Sequence, residues 1–225
     1  MTSPIPDLGK PVDDLAGRLA HVRWIAGGTG AGKSTLTRLL AERHDVTVYD
    51  GDRAEHGWLD RCTPQRHPHL AALRDQSPGA MWHDRTAQQM LRAMPGLHGE
   101  TVGLLVEDLL ALPARRTVLV DYFGLLPRHL APLLRRADQA VFLLPTPGFR
   151  QDVLTARYAD PARARATWGE ADPAEALAAR LARDALWDEE IRRQAPLHRV
   201  DTLIVDGTTP VDDLARHLAA RFGLA

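Results

Sequence analysis

Gly27-Gly28-Thr29-Gly30-Ala31-Gly32-Lys33-Ser34 is the stretch that decides how this chain is read. It fits the pattern G-x-x-x-x-G-K-[ST], with Gly27, Gly32, Lys33 and Ser34 at the fixed positions. Glycines let a backbone turn tightly and aim its N–H groups at an anion. A helix that follows presents the positive end of its dipole to the same anion. A lysine adds a point charge for β- and γ-phosphates, and a serine hydroxyl suits Mg²⁺. The pattern predicts a nucleoside triphosphate site formed by Gly27, Gly28, Thr29, Gly30, Ala31, Gly32, Lys33, Ser34 and Thr35. The chain has two lysines, Lys10 and Lys33, and one of them stands where the pattern requires it.

The flanks supply the context that such a loop needs. His21-Val22-Arg23-Trp24-Ile25-Ala26 reads as a short strand before it, and Leu36, Leu39 and Leu40 mark one face of a helix after it. Four more apolar runs read as strands: Val46–Tyr49, Thr117–Asp121, Ala140–Leu144 and Leu203–Asp206. Helical spacing is expected around Val12–Leu19, over 79–94, 100–111 and 127–136, through most of 150–194, and over 211–222. Residues 53–78, rich in His, Pro, Arg and Asp, read as an irregular insert. Strands alternating with helices predict an α/β domain, a three-layer sandwich with a parallel sheet covered on both faces. Ligands of such sheets bind outside the carboxyl ends of the strands. The glycine loop, Asp50 and Asp52, Asp121, the Pro145–Arg150 turn and Asp206–Thr209 all fall at those ends. Pro11–Ala16 recurs nearly unchanged as Pro210–Ala215; proline and acids at both starts point to helix-start chemistry rather than a duplicated unit.

Bulk composition narrows the classes. A chain of 225 residues suits a single α/β domain over its whole length. A formal net charge of −1 provides no global field for nucleic acid or an anionic membrane. Cys62 is the sole cysteine, which rules out an internal disulfide framework and suits a reducing compartment. No apolar run approaches a membrane span, and Met1–Pro4 lacks the apolar core of a secretion signal, so a soluble cytoplasmic protein is expected. Neither H-E-x-x-H nor C-x-x-C occurs, which argues against a zinc site.

Other features separate the kinds of protein that carry this loop. A guanine reader of the type Asn-Lys-x-Asp is impossible with lysines only at 10 and 33. Asp121 is followed by Tyr122 and not by the glutamate that motor ATPases use to activate water. The loop, Asp50-Gly51-Asp52 after the second strand, and arginines at 150, 157, 163 and 165 together resemble the small phosphate-loop kinases of the nucleoside and nucleotide kinase group. Asp50–Leu59 is similar to a segment of adenylylsulfate kinases, Asp-Gly-Asp-x-x-x-His-Gly-Leu. The resemblance implies a phosphate-loop NTPase fold with five parallel strands in the order 2-3-1-4-5. It also implies a helical lid over about 150–194, an acceptor-binding insert over about 53–95, and ATP with Mg²⁺ as ligands. Val205-Asp206-Gly207-Thr208 looks like the turn beside the adenine in such kinases, which implies Gly207 and Thr208 for the nucleotide.

Roles follow as expectations. Lys33 serves the β- and γ-phosphates. Ser34, Asp50 and Asp121 serve the metal, Asp121 through water; a strand-end acid that caps the next turn is the plainer account of Asp121. Asp52 is the expected base or orienter for the acceptor hydroxyl, facing the same way as Asp50 if the strand extends that far. A plain Asp-Gly turn is the competing account. Arg150, first after its strand-end turn, and Arg157 are the expected phosphoryl clamps, against a solvated arginine face. Asp52, Arg53, His56, Trp58 and Arg85 are the expected contacts of a small-molecule acceptor, with Arg61 and Trp82 nearby, although Met81 and Trp82 suit plain core equally well. The function expected is transfer of the γ-phosphoryl group to a hydroxyl or phosphate of a nucleoside, nucleotide or antibiotic-like alcohol. Two alternatives stand beside it: a regulatory ATPase acting through a protein partner, and a polynucleotide-end kinase, which calls for a basic groove.

Overall fold

The computed structural model describes residues 12–76, 79–82 and 85–224, with side chains from Leu15 onward. Lys10, Pro11 of the first near-repeat, Ser77-Pro78 of the expected insert and His83-Asp84 of the expected helix over 79–94 lie outside the described residues.

Helix α1 (Val12–Arg18) leads into β1 (Val22–Gly27), α2 (Lys33–Arg43) and β2 (Val46–Asp50). Four helices on the way to the next strand are α3 (Gly51–Arg61), α4 (Pro68–Arg74), α5 (Ala87–Ala93) and α6 (Pro95–His98). Then come α7 (Glu100–Ala111), β3 (Thr117–Asp121), α8 (Pro127–Leu130) and β4 (Ala140–Pro145). The last part holds α9 (Pro147–Tyr158), α10 (Pro161–Trp168), α11 (Pro173–Gln194), β5 (Thr202–Val205) and α12 (Val211–Phe222).

The five strands form one sheet in the order β2-β3-β1-β4-β5, and every pairing is parallel. This is the order that the resemblance implies. The three inner strands are buried almost throughout, as strands covered on both faces must be. The edge strands are open, with Val48 and Ile204 exposed. Alternation sorts the side chains into two cores. Trp24, Val118, Val120, Phe142 and Leu144 pack with Trp58, Leu105 and Trp187 from α3, α7 and α11. Ile25, Leu119, Val141 and Leu143 pack on the other face with Leu36, Leu40, Leu218 and Phe222 from α2 and α12.

The stretch expected to be irregular is largely helical. Asp50 caps α3, accepting from the Arg53 N–H at 2.9 Å, and Pro68 opens α4. Polar composition hid α3 because it buries little beyond Gly51 and Trp58. The helix expected over 79–94 is broken: a 3₁₀ turn covers Ala80–Trp82, and Thr86 starts α5 afresh with a capping box to Gln89. Helix α8 is one turn long, followed by a 3₁₀ turn at Ala131–Leu133, where a helix over 127–136 was expected. Residues 150–194 resolve into the greater part of α9 and the whole of α10 and α11, each with proline in its first turn.

Candidate functional site at the carboxyl rim of the sheet

The glycine loop joins β1 to α2 through backbone that few side chains tolerate. Gly27 has φ +114°, and a Cβ there would lie 2.1 Å from the Leu143 carbonyl oxygen of the neighbouring strand. A Cβ on Gly28 would meet Asp188 Oδ1 at 2.5 Å and Pro145 Cδ at 2.7 Å. Ala31 turns into the core. Helix α2 starts at Lys33 with no side-chain cap and no acid in its first turn, so its first N–H groups are left for an anion. Lys33 is buried, and its Nζ donates to the Gly27 and Gly28 carbonyls at 3.2 and 3.0 Å.

The acids gather around Ser34. Asp50 and Asp121 are register partners at the ends of β2 and β3. They line one cavity together with Ser34. The Asp121 carboxyl is buried and accepts a hydrogen bond from Ser34, yet its Oδ1 has no partner. Burial pushes this carboxyl above the usual range, against the pull of Lys33 and Ser34. An orphaned buried oxygen beside a serine hydroxyl fits Mg²⁺, which keeps several waters and takes few protein ligands. Asp52 does not share the facing of Asp50. The strand stops at Asp50 and the helix begins at Gly51, so Asp52 turns into a second cavity, where its Oδ1 accepts from the Phe123 N–H at 3.2 Å.

That second cavity, ≈ 330 Å³, is bounded on one side by the glycine loop and on the other by residues of 53–96, such as Glu55, Leu73, Met81 and Met94. Its cations are Lys33, Arg157, Arg180 and Arg183. Arg150 is placed elsewhere. It is buried beneath the loop, ion-paired to Asp188, with its Nε donating to the Thr29 carbonyl at 3.3 Å. Its guanidinium braces the loop from below and does not line this cavity. Arg157 does line the cavity, whereas Arg163 and Arg165 do not.

Arg180 and Arg183 escaped the sequence reading, although a signal was present. Arg180, Arg183, Asp184, Trp187, Asp188 and Ile191 follow i, i+3, i+4, i+7, i+8, i+11 spacing, so charged groups occupy a core-facing stripe of α11. Arg183 holds Asp184 through two N–H groups, and Arg180 donates to the Tyr158 hydroxyl at 2.6 Å. Both guanidinium groups approach the Trp82 ring, at 5.7 and 5.1 Å from its centre. Phe123 sits between the cations, with Lys33 Nζ at 5.7 Å and Arg183 Cζ at 5.6 Å from its ring centre.

Of the expected acceptor contacts, Asp52 lines this cavity, while Arg53, His56, Trp58 and Arg85 do not. Helix geometry explains the difference: Asp52 and Glu55, three apart, share a face of α3, from which Arg53 and His56 are rotated. The exposed His56 ring stays near its own helix, Nδ1 lying 3.3 Å from the Arg53 carbonyl. Trp58 is core. Its indole N–H donates to Asp108 at 2.7 Å and its ring meets Tyr122 edge-on at 5.4 Å. Glu55, not singled out from sequence, accepts from the Tyr122 hydroxyl at 2.9 Å. Gly207 and Thr208 lie at the end of β5, away from this cavity, where Asp206 accepts from the Thr208 N–H and hydroxyl. Gly207 packs against the Phe149 ring of α9.

No protein-family model matches the chain, and no curated protein matches it. Among the described residues, no helix is long and apolar enough to cross a membrane.

Proposed function

We propose that the chain is a phosphate-loop kinase, which moves the γ-phosphoryl group of ATP to a small acceptor. The observation that carries this reading is the shared cavity. Loop residues Thr29, Gly30 and Gly32–Thr35 and the acceptor-side residues Asp52, Glu55, Leu73, Met81 and Met94 line the same space. A site for nucleotide hydrolysis alone has no use for a second walled compartment beyond the terminal phosphate.

Roles follow from position. The N–H groups at the start of α2 and the Lys33 ammonium hold the phosphate chain. Ser34 and Asp121 would hold Mg²⁺, which would supply neutralising charge on the phosphates. Asp52 orients the acceptor hydroxyl and takes its proton. Arg157, Arg180 and Arg183 offset the charge on the transferring group. The adenine lies beside Gly207 and Thr208, and α9 to α11 form the lid.

The test is phosphoryl transfer from γ-labelled ATP with Mg²⁺, with and without acceptors. Lys33→Ala is expected to abolish turnover. Asp52→Asn is expected to lower kcat by about 10²–10⁴ while ATP still binds. Label released as free phosphate at one rate, whatever acceptor is present, would overturn the reading.

A further inference from the structure

The loop that joins β1 to α2 carries four donors in a row with no acceptor. Among the described residues, the N–H groups of Thr29, Gly30, Ala31 and Gly32 donate to nothing. Such a run cradles an anion only while the backbone keeps its donors aimed at one place. The carbonyls control that aim. In a planar trans peptide the C=O and the following N–H point opposite ways, so a carbonyl held beneath the loop turns the next N–H away from that side.

Three carbonyls of the loop are held. Lys33 Nζ donates to those of Gly27 and Gly28, and Arg150 Nε donates to that of Thr29 at 3.3 Å. The Arg150 bond therefore sets the direction of the Gly30 N–H, and Gly30 lines the second cavity. The two cations differ in their other duties. Lys33 also lines that cavity, and under the reading above it is shared with the phosphates. Arg150 is buried outside the cavity lining, and its other end pairs with Asp188 of α11. Its hold on Thr29 persists when Lys33 turns to a ligand. Asp188 is fixed in turn. It is buried against Gly28, where a Cβ would meet both carboxylate oxygens, at 2.5 and 3.0 Å. The other arginine near this carboxylate, Arg192 on the same helix, stands 4.0 Å away.

We propose that Arg150 and Asp188 are positioning residues for nucleotide binding: through the Thr29 carbonyl they keep the N–H groups of the loop aimed at the phosphate chain. This rests on the nucleotide half of the reading above and is independent of the acceptor. Neither residue touches the reacting atoms, so the pair acts on affinity and takes no part in the transfer step.

The experiment measures the Kd of the full chain for MgADP by titration calorimetry at pH 8, with urea denaturation of the same samples. Arg150→Lys keeps a charge for Asp188 but loses the planar fork that reaches Thr29 as well. Arg150→Met combined with Asp188→Leu removes both charges together, so no buried ion is left unpaired and the urea midpoint is expected close to the native one. Both variants are expected to bind MgADP about 10-fold more weakly while fully folded. A pair that only packs the core leaves Kd unmoved in a folded sample, so native affinity in either folded variant overturns the proposal and leaves the kinase reading standing. A native chain that binds neither MgADP nor MgATP overturns the nucleotide reading and this inference with it.

Discussion

Gly28 lies between two groups that have no room to retreat. Asp188 is buried and paired with Arg150, and Pro145 ends a central strand. Gly28→Ala is therefore expected to displace the loop and to cost about 1–3 kcal/mol of stability, read by urea denaturation. A measured cost below about 0.5 kcal/mol would mean that the loop yields freely. The same residue shows what single positions reveal in advance. A glycine pattern is legible because only one residue type satisfies it. Trp58 is the opposite case: among acids and arginines it resembled a ligand contact, yet its indole serves Asp108 inside the fold. Glu55 carried no local mark, and its place on the cavity wall comes from the turn of helix that it shares with Asp52.

Helix α11 links the loop to the cavity. One end of its charged stripe reaches Trp82, and the other, through Asp188, reaches Arg150 and Gly28. Burial pushes Asp188 up to about 6, against the pull of Arg150. For an acid whose folded pKa is raised, stability is present at low pH and is lost as pH climbs through that value. Arg150→Met removes the compensating charge and raises the Asp188 pKa further. Its cost is expected to be about 3–5 kcal/mol at pH 8, where the carboxylate is ionised and uncompensated. At pH 5 the carboxyl is protonated and the cost falls. Equal costs in urea denaturation at the two pH values would contradict this account. Secondary structure was legible here in outline, because apolar spacing and prolines mark α9 to α11. The bracing role of Arg150 was not, because its partner lies 38 residues away on another helix.

At the scale of the whole molecule, the pH dependence set by Asp188 is opposed by that of a partly buried base. His129 is held down to about 4, chiefly by burial and then by Arg128, and its Nε2 accepts from the Arg128 Nε at 3.0 Å. A histidine with a depressed folded pKa contributes stability above its unfolded value, near 6.5, and loses it as pH falls toward 4. The loss is on the order of 3 kcal/mol at most. Thermal midpoints between pH 7 and pH 4 are expected to fall less steeply for His129→Gln than for the native chain; parallel curves would remove His129 as the cause. At this scale the five strands and their parallel sense were legible from apolar runs alternating with helices. Their lateral order was not, since apolar runs do not state their neighbours, and it came from the kinase resemblance. That order has a consequence for synthesis. Both partners of β1 lie far downstream: Val22 pairs with Val118, and Gly27 with Leu143. On a ribosome adding roughly 5–20 residues per second, the central strand waits on the order of 5–20 s for its first partner. Trp24 and Ile25 sit in that interval on a strand with two bare edges, so nascent chains are most prone to joining one another before β3 emerges.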